Sequence, residues 1–141
     1  MPMYQPEIET MPQDQIRAHQ SKLLVQQVRN VYDNVPYYRA KMEAKGITPD
    51  DIHGLEDLHK LPFLSKNDLR EAYPYGLLAR PLKDCVRIQS TSGTTGRRVV
   101  AFYTQHDLDL WEDCCARAIM AAGGTNEDVC HVCYGYGLFT G

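Results

Sequence analysis

The chain has 141 residues, 43% of them hydrophobic and 23% charged, a balance that suits one domain or part of one and excludes a disordered segment. Its formal net charge of −3, from 15 basic and 18 acidic side chains, provides no basic field and argues against nucleic-acid binding. No apolar run approaches the roughly 18 residues that a membrane-spanning helix needs.

The stretch from Met1 to Glu7 has neither the basic region nor the apolar core of a signal peptide. Five cysteines, at positions 85, 114, 115, 130 and 133, are then expected as reduced thiols, and the cytoplasm as the location.

Residues 1–9 are polar, carry prolines and are expected to be extended. Thr10-Met11-Pro12-Gln13 resembles a helix start, with Thr10 as cap, Pro12 in the first turn and Gln13 at the capping-box position. Apolar residues at Ile16, Leu23, Leu24, Val28, Val31, Tyr32 and Val35 then predict an amphipathic helix that Pro36 ends. A second helix is predicted from Tyr37 to Lys45, with Gly46 as its stop. Thr48-Pro49-Asp50-Asp51 opens a short turn, and Leu55, Leu58 and Leu61 follow at three-residue spacing. Ser65-Lys66-Asn67-Asp68 has the cap and acid of another helix start. The tyrosines at 32, 37, 38, 73 and 75 are expected in the core or at an interface.

The pattern then changes. Val86 to Ser90 and Val99 to Tyr103 read as two strands. Thr104-Gln105-His106-Asp107 caps a long helix, whose stripe of Leu108, Trp111, Cys115, Ala118, Ile119 and Ala122 is expected to be buried and whose end falls at Gly123-Gly124. Val129 to Tyr134 reads as a further strand. Strand, long helix, strand is a βαβ-like order and predicts an α/β fold, with N-terminal helices followed by the first strands of an incomplete sheet. The expected division is a helical region over 1–80 and the start of an α/β domain over 81–141.

Between the two strands lies Ser90-Thr91-Ser92-Gly93-Thr94-Thr95-Gly96-Arg97-Arg98. Glycine lets backbone N–H groups turn toward a ligand, hydroxyls add donors, and arginine adds a fork suited to phosphate oxygens. Such a run is either an anion cradle or a plain turn or linker. It is not a Walker A loop: Gly93 and Gly96 are three apart, Arg97 stands in place of lysine, and a strand follows rather than a helix.

Other constellations are weak. Cys130-His131-Val132-Cys133 invites a metal reading, but in a strand the two thiols would face opposite sides. His131 is expected to be buried there, His106 lies in a helix first turn, and His19, His53 and His59 are expected to be solvated. Cys114 and Cys115 are expected as small buried residues. No Ser/His/Asp or Cys/His arrangement emerges from the spacing.

Ser-Thr-Ser-Gly-Thr-Thr-Gly-Arg resembles the phosphate loop of the adenylate-forming acyl-CoA synthetase superfamily. "RIQSTSGTTGRRVVAFYT", "AIMAAGG" and "CYGYGLFTG", with "VPYYRAKMEAKGITPDDI" and "LPFLSKNDLREAYPYG" upstream, are similar to the AMP-forming phenylacetate–CoA ligase family, from about Ile16 to Gly141. The resemblance implies a ligase that uses ATP, Mg²⁺ and coenzyme A to convert an aromatic acid to its thioester through an acyl-adenylate.

It assigns Ser90, Thr91, Ser92, Gly93, Thr94, Thr95, Gly96 and Arg97 to the phosphate cradle, and Tyr136 and Phe139 to the acid pocket. Arg97 and Arg98 stand where the family has lysine and proline. Members are several times longer, and their adenine site, metal-holding glutamate and catalytic lysine lie beyond residue 141. This chain is therefore expected to be an N-terminal piece, inactive alone, from a homodimeric parent. The competing reading is a non-catalytic helical interaction module in which the Ser/Thr/Gly loop is structural.

Overall fold

The computed structural model describes residues 3–93, 98–133, 135 and 137–138. Its first element is not extended: Pro6–Glu9 forms a single helical turn, α1. The Thr10 hydroxyl donates back to the Pro6 carbonyl at 2.6 Å and closes that turn. Thr10 is thereby spent on α1 and does not cap the next helix. That helix, α2, runs Gln13–Asn34 with Pro12 at its cap position and no side-chain cap. Asp14 in the first turn complements the exposed N–H groups.

Pro36 ends α2 and opens α3, Pro36–Ala44, at the position where a missing N–H costs nothing. Gly46, at φ 67°, turns the chain out of α3, and the Ile47 N–H donates to the Met42 carbonyl at 3.0 Å. Two 3₁₀ stretches follow, Pro49–Asp51 and Leu55–Lys60, the first closed by a Thr48/Asp51 capping box.

The core of this helical half is small. Val28 of α2, Met42 of α3 and Ile52 meet at its centre, and Leu24, Tyr32, Tyr38, Ile47 and Leu61 pack around them. Leu23, which the helical pattern also counted as apolar, is exposed.

Helix α4, Lys66–Glu71, carries the predicted cap: Asp68 N–H donates to Ser65 Oγ, and the Asp68 carboxylate accepts from Ser65 N–H at 2.6 Å. The same carboxylate joins α4 to α3, accepting from Tyr37 Oη at 2.8 Å and lying 2.5 Å from Lys41 Nζ. Lys41, with the Ser65 and Tyr37 donors, holds Asp68 well below the usual carboxylate range. Asp57 is held similarly by Lys60 and the His53 N–H, from 3.8 down to about 2.

Both carboxylates release their protons more readily folded than unfolded, so the stability they contribute is full above their ordinary value. It is lost as pH falls below about 4, near pH 2 for Asp57 and lower still for Asp68. Urea midpoints measured across that window should fall steadily, and Asp68→Asn should both lower the neutral midpoint and flatten the acid limb. A midpoint of Asp68→Asn equal to wild type at neutral pH would show that the α3–α4 bridge is idle.

The strands form as a hairpin. Strand β1, Cys85–Ser90, pairs antiparallel with β2, Val100–Thr104, with Ser90 opposite Val100 and an irregularity between Cys85 and Arg87. Thr104 then caps α5, Gln105–Ala121, through a reciprocal bond set with Asp107, as the sequence pattern predicts. Gly123, at φ 96°, follows its end. Helix α5 lies on β2, where Tyr103 and Trp111 meet at 5.5 Å between ring centroids. The N-terminal segment ties to it through Tyr4 Oη to Asp113 and Arg117 to Gln5.

Two expectations are corrected here. The stripe on α5 is not buried: Trp111, Cys115, Ala118, Ile119 and Ala122 are exposed and Leu108 is half-buried, because among the described residues β2 and a few N-terminal side chains cover the helix on one side. Cys114 is exposed likewise. Residues 129–133 form no strand, and Val129 is 99% exposed. The β-branched pattern is present, but a strand exists only by pairing, and no ladder partner reaches these five residues among those described. His131 and both neighbouring thiols are exposed, not buried in a sheet. The observed architecture is thus a set of N-terminal helices, a two-stranded antiparallel sheet and one long helix.

Candidate functional site

The Ser/Thr/Gly run leaves β1 at Ser90 and returns at Val99, and its base is closed by two bonds. Thr91 N–H donates to the Val99 carbonyl at 3.0 Å, and Val99 N–H donates to Thr91 Oγ1 at 3.1 Å. The hydroxyl of Thr91 therefore does what a strand carbonyl would do, and ends the ladder where the loop begins. Gly93 sits at φ 75°, left-handed backbone that a side chain with a Cβ rarely adopts. Ser92 and Arg98 are exposed. Thr94, Thr95, Gly96 and Arg97, assigned to the same loop, lie outside the described residues, as do Tyr136 and Phe139.

Ser90 behaves differently from its neighbours. It is 2% exposed, the sole fully buried residue of the hairpin strands, and its Oγ has no hydrogen-bond partner among the described residues. Its N–H donates to the Leu138 carbonyl at 2.6 Å, across 48 positions of chain. No local pattern announces that contact, and sequence reasoning missed it. It brings the root of the loop against Leu138.

A second feature was also missed. An open cleft of about 870 Å³ lies between α2, the 77–85 segment, β2 and the start of α5, with Gln27, Asn30, Arg80, Asp84, His106 and Asp107 among its lining residues. The Thr104 hydroxyl and N–H hold Asp107 below the usual carboxylate range, with His106 and Arg80 assisting. The polar side chains come from three separate segments, so no single stretch of sequence marks the cleft.

Metal chemistry finds no support in the described side chains. No group of three or more His, Cys, Asp or Glu among them is arranged to hold an ion. Cys133 Sγ lies 3.8 Å from the ring nitrogens of His131, and all five thiols are free. The residues described do not fit a Mg²⁺ site, and no step is derived through one. No helix is long and apolar enough to cross a membrane among the described residues.

No family model matches the chain. Individual proteins do. It is 50% identical over 134 residues to a phenylacetate-coenzyme A ligase of Pseudomonas putida, covering 95% of this chain and 30% of that protein. It is 45% identical over 139 residues to the ligase of that name from Thermus thermophilus, covering 99% of this chain and 31% of that one. Along nearly its whole length the chain is similar to part of the phenylacetate–CoA ligases.

It spans about a third of the length of the curated relatives it matches. Solved structures share its fold. A 2-hydroxyisobutyryl-CoA ligase in complex with 2-HIB-AMP and CoA superposes with a TM-score of 0.73 at 30% identity, over 85% of this chain and 27% of that one. The same enzyme in its postadenylation state gives 0.75 at 27% identity, over 84% and 26%. The match is to the N-terminal part of that ligase, whose fold this chain shares: helices, a two-stranded sheet and a long helix among the described residues.

Proposed function

We propose that this chain supplies the phosphate-gripping loop and the first part of the acid pocket of a cytoplasmic ligase that activates phenylacetate, or a similar aromatic acid, with ATP. The observation that carries the reading is the match to phenylacetate–CoA ligases along nearly the whole chain, loop included. In this reading residues 1–80 are a helical region and residues 81–141 open the ATP-binding domain.

The reaction has two displacements. A carboxylate oxygen attacks the α-phosphorus of ATP, the bond to the β-phosphate oxygen breaks, and pyrophosphate leaves. The sulfur of coenzyme A, having lost its proton, then attacks the acyl carbon, and AMP leaves with the bonding pair. Negative charge gathers on the departing pyrophosphate in the first step, so donors fixed around the β- and γ-phosphates favour the transition state.

Thr91, Ser92 and Gly93 supply hydroxyl and N–H donors at one end of the loop, and Thr94, Thr95, Gly96 and Arg97 continue them. The exposed Trp111 and Ile119 suit burial against further polypeptide, either the remainder of such an enzyme or a second subunit.

The test begins with the native protein from its source, sized with an antibody to this chain and assayed for phenylacetate-dependent ATP–pyrophosphate exchange. Arg97→Ala should raise the KM for ATP by about tenfold, as loss of one charged phosphate contact does, with the KM for the acid little changed. An ATP dependence equal to wild type would remove Arg97 from the cradle. A second reading, a non-catalytic interaction module, takes its support from the open apolar face of α5. A native species of this chain's own size without exchange activity would favour it.

A further inference from the structure

We infer that Thr91 is a positioning residue: its hydroxyl oxygen stands in for a main-chain carbonyl at the last rung of the hairpin, and so sets the point at which the chain leaves β1 for the phosphate loop. Its part in catalysis rests on the ligase reading above. Its geometry stands without that reading. Ser90 pairs with Val100, so Thr91 and Val99 form the next pair outward. In an antiparallel ladder, opposed residues exchange either two main-chain bonds or none. Here one of the two is made, from Thr91 N–H to the Val99 carbonyl at 3.0 Å. The return bond, from Val99 N–H, goes to Thr91 Oγ1 at 3.1 Å and not to the Thr91 carbonyl.

A carbonyl held in the ladder fixes the whole peptide unit it belongs to, including the N–H of the next residue. Because the side chain takes the bond, the Thr91–Ser92 peptide is released from the sheet while the rung itself stays closed. The backbone then turns at once: Gly93, two residues on, sits at φ 75°. Ser92 is exposed, and no described residue accepts from its N–H. Valine has the shape of threonine but no oxygen to hold Val99, whereas serine keeps the oxygen and drops the methyl group. A hydroxyl has a proton to donate as well as lone pairs that accept. Holding Val99 therefore leaves Thr91 in the cradle to which the resemblance assigns it, with its oxygen already committed to the base of the loop.

Amide hydrogen exchange in the native protein reads the geometry, and ATP–pyrophosphate exchange reads the role. In wild type, relative to intrinsic rates, the Val99 amide should exchange about tenfold more slowly than the Ser92 amide, the scale of one hydrogen bond. Equal rates overturn the inference. Thr91→Val should speed Val99 exchange about tenfold and lower phenylacetate-dependent ATP–pyrophosphate exchange about tenfold or more, as a displaced set of donors does. Thr91→Ser should recover most of both losses. A Thr91→Ser variant as impaired as Thr91→Val would put the effect on side-chain shape and overturn the inference. Activity lost in Thr91→Val with Val99 as protected as in wild type overturns it too, since the hydroxyl would then act on the phosphates directly. A faster Val99 amide with activity intact overturns the positioning role and leaves the ligase reading standing. A native protein with no phenylacetate-dependent exchange overturns the ligase reading and the positioning role together.

Discussion

Met42→Ala is expected to destabilise the chain by about 2–5 kcal/mol, the range for emptying a fully buried large side chain. Met42 is 0% exposed and lies where α2, α3 and the segment after the first 3₁₀ turn converge. Among the described residues the buried hydrophobics are few: Val28, Val35, Ile52 and Ala72 complete the set. Where in that range the cost falls depends on how far Leu24, Tyr32, Tyr38, Ile47 and Leu61, which pack around the cluster, close on the cavity. A domain of this size has about 5–15 kcal/mol of net stability, so the loss is a large fraction of the whole.

Urea unfolding followed by far-UV circular dichroism reads the effect, and Ile119→Ala supplies the contrast. Ile119 is 58% exposed on α5, and its truncation should stay within about 0.5 kcal/mol. If Ile119→Ala cost as much as Met42→Ala, the open face of α5 would be covered in solution by another molecule.

That contrast also marks where reading the sequence succeeds and where it stops. The caps at Ser65/Asp68 and Thr104/Asp107 are legible because every bond in them spans three residues. The stop at Gly46 is legible for the same reason, since a left-handed turn after a helix has few ways to be written. Thr10 misleads because two local rules compete for one hydroxyl, and the turn of α1 takes it.

The stripe on α5 is correct as a pattern and wrong as a statement of burial. Periodicity says which face of a helix is apolar, and the neighbours decide whether it is covered. Residues 129–133 fail similarly, because a strand is a relation between two segments and propensity describes one. The link from Ser90 to Leu138 and the cleft beside Arg80 have no local signature at all. The chemistry was read from resemblance, on "STSGTTGR" and "YGYGLFTG". Proteins of that name are also the ones this chain matches, over about a third of their length.

On the ligase function proposed above, Gly93→Val should reduce ATP–pyrophosphate exchange in the native protein by about a hundredfold, the scale on which removing a fixed donor to a developing anion acts. At φ 75° a valine carries its branched Cβ into the carbonyl oxygen, at roughly 1–2 kcal/mol of strain. The loop can relieve that strain by turning the residue back to negative φ. Relief rotates the peptide units on either side, and with them the N–H groups assigned to the phosphates in the proposed cradle.

The base of the loop, held by the Thr91–Val99 pair, should survive, because those bonds lie below the turn. The variant should therefore unfold within about 2 kcal/mol of wild type while losing most of its exchange rate. Gly93→Ala, without the branch, should fall between the two. A Gly93→Val enzyme that exchanges pyrophosphate at the wild-type rate would mean that the loop is only a turn between strands. A large loss of rate with stability retained would place the phosphates on its backbone.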